Sequence, residues 1–349
     1  MHDMGTRAVH FVGSYPAEST EEAMLALLDG AGSRLLTLPT GETCRYEYYV
    51  QPIIAGLVAQ RALEVKRAGS LNSSRERTIH RVPRGAELTG DMMELGYLGE
   101  AREALPIYRR LRDERELPGL PLQIGMPTDF TLAFVAMGVD GVRSHRIAFR
   151  DATVRDIAAI REFAGEEVVI QLEATAEMVL MAKSQPLHRR LEAVLGIGKG
   201  IAALAAAAPA GTRFGVHLCV GSMNNRSRAT MRDARPLVDL ADSIARHWPS
   251  DRPLEYVHGP LAAGNIPPAV DRRFYAPLAE LDLPPDTRFV AGFIHESPSQ
   301  EEQSATLRMI EAALGRRVDG IASACGLGRR PRSVADAMVA RAAALADVS

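Results

Sequence analysis

A chain of 349 residues, 46% hydrophobic and with a formal net charge of −2, carries enough apolar mass for one large core or two ordinary ones and is not composed like a disordered segment. Its arginines are scattered among aspartates and glutamates, so no basic block marks a nucleic-acid partner, and pairs such as Arg109-Arg110 and Arg329-Arg330 read as solvated helix ends or loops. No stretch approaches the roughly 20 apolar residues that span a bilayer, residues 1–13 lack the pattern of an export signal, and three cysteines are too few and odd in number for a disulfide framework. A cytoplasmic protein without membrane or nucleic-acid partners is expected, its cysteines serving metal binding or catalysis.

In chain order, short β-branched apolar runs fall at residues 8–13, 34–38, 122–125, 168–172, 213–220, 254–258, 288–294 and 320–324. Amphipathic stretches at 21–28, 187–207, 234–246, 269–281, 300–314 and 333–345 read as crossover helices. Eight strands alternating with helices, with no break in composition, predict a single α/β domain over residues 1–349. The arithmetic is that of a (β/α)8 TIM barrel, in preference to an open doubly wound sheet. The interval after the second strand is too long for one crossover and predicts an insertion over residues 40–120. Leaving from the C-terminal end of a strand, it is expected to lie over the barrel mouth as a lid or substrate wall.

His217 and Cys219 stand two apart near the end of the fifth strand, so a period of two puts both on one face. Cys325 directly follows the eighth strand, His258 closes the sixth and His295 the seventh. Thiolates with imidazole are the ligand set that zinc prefers. These residues predict a zinc ion held by His217, Cys219, Cys325 and a fourth ligand, His258 or, deeper and on the other face of its strand, Glu255. Ligands drawn from separate barrel strands, unlike the tight local pairs of a zinc finger, point to a catalytic ion. Cys44 reads as a small buried hydrophobe.

On these residues the sequence resembles the cobalamin-independent methionine synthase family, within the superfamily that also holds uroporphyrinogen decarboxylase and coenzyme M methyltransferases. Val12-Gly13-Ser14-Tyr15-Pro16 resembles the family's turn after strand one, and Ile170-Gln171-Leu172-Glu173 its strand-four motif. His217-Leu218-Cys219 resembles the His-x-Cys zinc motif, Phe293-Ile294-His295 the strand-seven motif, and Cys325-Gly326-Leu327 the final zinc cysteine. The resemblance implies zinc-dependent transfer of a methyl or other alkyl group to a small thiol. A free thiol ionises at about 8.5, and a divalent ion removes that proton near neutrality. The donor implied is a folate, a corrinoid or another alkyl carrier. His295 is implied as the acid toward the leaving group, and Ser14, Gln171 and Glu173 as substrate contacts.

Three departures qualify the resemblance. The family takes a glutamate ligand from strand six where His258 stands here; its strand-four Asp-Glu pair is Glu173-Ala174, with Glu177 close by as a substitute; and one barrel replaces two halves. A single-barrel branch of the superfamily is a closer match, through Thr40-Gly41-Glu42-Thr43 with Arg45, Tyr256-Val257-His258-Gly259-Pro260 and Tyr275-Ala276-Pro277-Leu278. That branch favours His258 over Glu255, and Glu42, Arg45, Glu173 and Glu177 are expected to orient the charged ends of the substrate. Two other readings stand beside transfer: zinc-assisted hydrolysis or lyase chemistry with Glu173 or Glu177 as base, and a barrel that binds a ligand without turnover.

Overall fold

The computed structural model describes residues 7–43, 50–69 and 78–348. The first part of the chain forms β1 (Ala8–His10), α1 (Thr20–Ala31), β2 (Leu38–Pro39), α2 (Val50–Ala59), the pair β3 (Glu64–Arg67) and β4 (Ile79–Arg81), and α3 (Tyr97–Glu114). Next come β5 (Leu122–Pro127), α4 (Asp129–Ala164), β6 (Val168–Ala174), α5 (Thr175–Lys183), α6 (His188–Leu195), α7 (Ile197–Ala207) and β7 (Arg213–Leu218). The last part comprises α8 (Arg235–His247), β8 (Leu254–Pro260), α9 (Arg272–Tyr275), β9 (Arg288–Ile294), α10 (Gln300–Leu314), β10 (Gly320–Ser323) and α11 (Arg332–Ala346).

Eight strands join in one parallel sheet, in the order β1-β10-β9-β8-β7-β6-β5-β2. Its two ends meet: Val9 and Leu35 form a parallel bridge, and the Leu36 N–H donates to the Val9 carbonyl at 2.9 Å. The sheet is therefore curled round in the manner of a TIM barrel, with helices packed on its outer face. The second strand pairs with β5 through Leu38 and Pro39, slightly later than expected. The expected helix over 187–207 is broken at Gly196, which takes a left-handed φ of 57° and separates α6 from α7.

Alternation along the strands fills the interior in layers. Val169, Tyr256, Val290 and Ala322, with Leu36, make a small apolar layer separate from the main core between sheet and helices. Gly215 leaves room for it, since a Cβ there would lie 2.0 Å from the Tyr256 ring. One step toward the C-terminal ends the filling turns polar. Thr37 donates to Gln123 at 2.6 Å, the Tyr256 hydroxyl lies 3.2 Å from both Gln123 and Gln171, and His10 Nε2 lies 3.1 Å from Gln171. The Gln123 and Gln171 amide groups donate to the Val12 carbonyl at 2.7 and 2.6 Å, which fixes the exit of β1. At the opposite, N-terminal end a separate cavity of about 540 Å³ is lined by Arg7, Arg34, Arg213, Arg288 and Glu255 among others.

The segment between β2 and β5 has two parts. Helix α3 packs between α1 and α4 in the outer layer, as a crossover helix does. Helix α2 and the antiparallel β3–β4 pair lean instead on α4, where the His80 ring meets the Ala136 carbonyl at 3.1 Å and Lys66 meets Asp140 at 3.5 Å.

Candidate metal centre

β7 directs Phe214, Val216 and Leu218 to the helices and Gly215 and His217 inward; Cys219, one residue past the strand, continues the inward row. The chain then turns at Gly221, with φ 78°, whose N–H donates to Cys219 Sγ at 3.3 Å. Cys325 lies two residues beyond β10, in a loop held against the exit of β1: the N–H groups of Leu327 and Gly328 donate to the Ser14 carbonyl at 2.7 and 3.0 Å. A Cβ at Gly326 would fall 2.2 Å from Ser14 Oγ, so this approach of two loops needs glycine there.

The result is a convergence. The Cys219 and Cys325 sulfurs are 3.7 Å apart, and with one His217 nitrogen all three potential ligand atoms lie within 4.8 Å of one another. Among the described residues this is the one such group of three. Two sulfurs each about 2.3 Å from a tetrahedral ion stand roughly 3.8 Å apart, so the sulfur separation suits zinc without rearrangement. A hydrogen bond from Cys219, aided by His217, draws Cys325 well below the ordinary thiol range against the opposing effect of burial, while the same hydrogen bond and burial push Cys219 well above it. Ser222 adds a hydroxyl 2.9 Å from the Cys325 sulfur and itself accepts from Arg329 at 2.8 Å, so a chain of donors is aimed at that sulfur.

The other expected site residues are distributed differently. His258 is fully buried and does not join the convergent group: its Nδ1 faces His217 Nδ1 at 2.7 Å and its Nε2 faces the Ser323 carbonyl at 2.9 Å. Burial, then the neighbouring His217 and His10, keep it well below the usual histidine range. Glu255 is removed from the mouth altogether, since it pairs with Arg213 and borders the cavity at the N-terminal end. Gln171 is buried with its amide spent on Val12, Glu173 and the interior ring, so it supports Glu173 from below and does not face the cavity. Glu177 is buried between the Thr128 and Thr131 hydroxyls at the start of α4 and does not border the cavity. His295 is likewise outside it: its Nδ1 accepts from the Ser297 N–H, its backbone is gripped by Gln303 of α10 and Arg341 of α11, and burial lowers its pKa. Arg45 and Cys44 lie outside the described residues.

Ser14, Glu42, Glu173, His217, Cys219 and Cys325 do share one cavity, of about 550 Å³, at the C-terminal ends of the strands. Glu42 sits in it at φ 47°. Burial, the Glu173 and Glu100 carboxylates and Cys325 raise its pKa well above the usual range, with Arg329 opposing. Sequence reasoning missed Ser222, Lys183, Arg228 and Arg67, which also border the cavity, and took Arg329 for a solvated loop residue. The one signal for Arg329 was its place four residues after Cys325 in the same loop. Val50, Gln51 and Ile79, from the segment between β2 and β5, line the same space as Phe134 of α4 and Val179 and Leu180 of α5.

Among the described residues no helix is long and apolar enough to cross a membrane. No family model matches the sequence, and no curated protein matches it. The fold has solved counterparts. One is a B12-independent methionine synthase from Shewanella sp. W3-18-1 in complex with selenomethionine, with TM-score 0.60 and 12% identity over 98% of this chain and 97% of that one. Another is a methyltransferase from Methanosarcina mazei, with TM-score 0.54 and 16% identity over 97% of this chain and 94% of that one. At these identities the likeness is one of fold, and it spans both chains nearly end to end.

Proposed function

We propose that this protein is a zinc-dependent methyl or other alkyl transferase whose acceptor is a small thiol. The observation that carries the reading is the convergence of His217, Cys219 and Cys325 on the wall of the cavity at the barrel mouth. Three protein ligands leave one position of a four-coordinate ion for a substrate atom. When bound, zinc supplies a Lewis acid that lets a thiol shed its proton near neutral pH while its sulfur stays nucleophilic. The likeness of the fold to a methionine synthase and a methyltransferase supports the same reading.

The chain's own residues would do the rest. Glu42, a buried carboxyl that keeps its proton, can hold or deliver one beside the sulfur pair. Glu173, braced by Gln171 at 3.2 Å, offers a carboxylate to a cationic end of the substrate, and Arg329 a guanidinium to an anionic end. Phe134, Val179 and Leu180 give the cavity a dry wall, which strengthens these contacts by excluding water. Val50, Gln51, Arg67 and Ile79 would close the mouth over the reactants, the role expected of the segment after the second strand. Since Glu177 and His295 do not reach the cavity, neither is assigned a part in proton transfer.

Metal analysis of protein grown with zinc, together with an assay for loss of free thiol against folate, corrinoid and sulfonium methyl donors, tests the proposal. Stoichiometric zinc is expected in the wild type, and loss of most of it in Cys219→Ser and Cys325→Ser with the fold retained. Zinc retained undiminished in both variants would overturn the site. Zinc without thiol consumption on any donor class would overturn the reaction.

A further inference from the structure

We propose that His258 is a positioning residue that accepts the Nδ1 hydrogen of His217, orienting that ring so that Nε2 is its nitrogen left to bind an ion. The inference rests on the reading of His217, Cys219 and Cys325 as a zinc site, but its first test does not. The argument is one of donors and acceptors. A backbone carbonyl only accepts, so His258 Nε2, 2.9 Å from the Ser323 oxygen, must carry a hydrogen. A neutral imidazole has one ring hydrogen, and His258 is fully buried, so its Nδ1 is a bare acceptor. The His217 Nδ1 that faces it at 2.7 Å must then be the donor. With a hydrogen held on Nδ1, His217 is left with Nε2 as its ligand atom. The reverse arrangement would set two acceptors face to face at Ser323.

Local structure is arranged for this relay. The register of β8 against β7 shifts between Phe214 and Gly215, which brings His258 directly opposite His217 in the ladder. The register of β10 against β9 shifts between Ala322 and Ser323, at the very residue whose carbonyl receives His258. On the remaining side β9 has Gly292, where a Cβ would fall 2.5 Å from His258 Nε2 and 2.8 Å from Cε1. A histidine seated between two bulges and a glycine replaces the usual carboxylate or carbonyl partner of a ligand histidine.

Long-range proton–nitrogen NMR on zinc-free, full-length protein labelled in its histidines reads the tautomers directly, with His258→Asn and His217→Asn assigning the signals. Hydrogen on Nδ1 of His217 and on Nε2 of His258 is expected; a His217 Nδ1 without hydrogen overturns the proposal. Zinc competition against a chelator gives a second readout. His258→Leu, which removes the acceptor, should weaken zinc binding about 10–100-fold. His258→Asn, which puts an amide oxygen where Nδ1 stood, should keep most of the affinity. Leu binding as tightly as wild type overturns the role of His258. A wild type that binds no zinc, yet shows the expected tautomers, overturns the zinc reading and leaves the relay standing.

Discussion

At Gly13 the place of a side chain is already taken: a Cβ would fall 2.0 Å from Glu42 Oε1. Glu42 itself holds a left-handed φ of 47°, uncommon for a residue with a Cβ and a cost borne at a site where position matters. Gly13→Ala should therefore push the Glu42 carboxyl out of place without touching a sulfur. We predict a loss in kcat/KM of about 10²-fold, the size that a misplacement of about 1 Å can produce, with zinc content unchanged; equal losses of both would show that Gly13 shapes the metal centre instead. His217, Cys219 and Cys325 were legible in the sequence because strand alternation and strand ends dictate which way their side chains face. The place of His258 was not. Alternation assigns it the inward face but says nothing of depth, and depth sets it against Ser323 and His217 instead of beside the thiols. Glu177 and His295 lie past a strand end, where a period of two no longer says which way a side chain faces, and neither borders the cavity.

Among the elements, α3 carries the most exact tie to the site. Its first turn places Glu100 beside Thr40, one residue past β2, whose hydroxyl donates to it at 2.5 Å. Burial raises the Glu100 pKa to about 7, with Thr40 opposing and Glu173 adding to the rise. The folded protein thus keeps a proton that the unfolded chain gives up near 4.5. This contribution to stability is fully present below about pH 4.5, is lost as pH rises toward 7, and amounts to about 3 kcal/mol at 1.36 kcal/mol per unit. Denaturant unfolding of wild type and Glu100→Gln across that range should show the wild type losing ground steadily relative to the variant; parallel curves would refute the assignment. Most strands and outer helices were readable from their periods. α4 was not, because it is interrupted at Gly138, at φ 75°, and its arginines and alanines blur the apolar stripe.

For the molecule as a whole, the curled sheet is packed on both faces, and α11 closes against α1 while Arg7 joins Glu311 at 2.7 Å. A core of this extent does not depend on three ligands at its rim. Chelation should leave the far-UV spectrum and the cooperative unfolding of the protein intact and lower Tm by only about several degrees, the stabilisation that a bound ion adds by mass action. Loss of helical signal on chelation would place the metal among the folding determinants.

The ring of Tyr256, hydrogen-bonded to Gln123 and Gln171, fills the barrel interior between its two ends. Among the described residues, the cavity with the sulfur pair and the arginine-lined one share no lining residue. If the proposed transfer takes place in the cavity at the mouth, both reactants would share that one space, and the molecule that reaches the sulfur pair would have to enter before the one stacked over it.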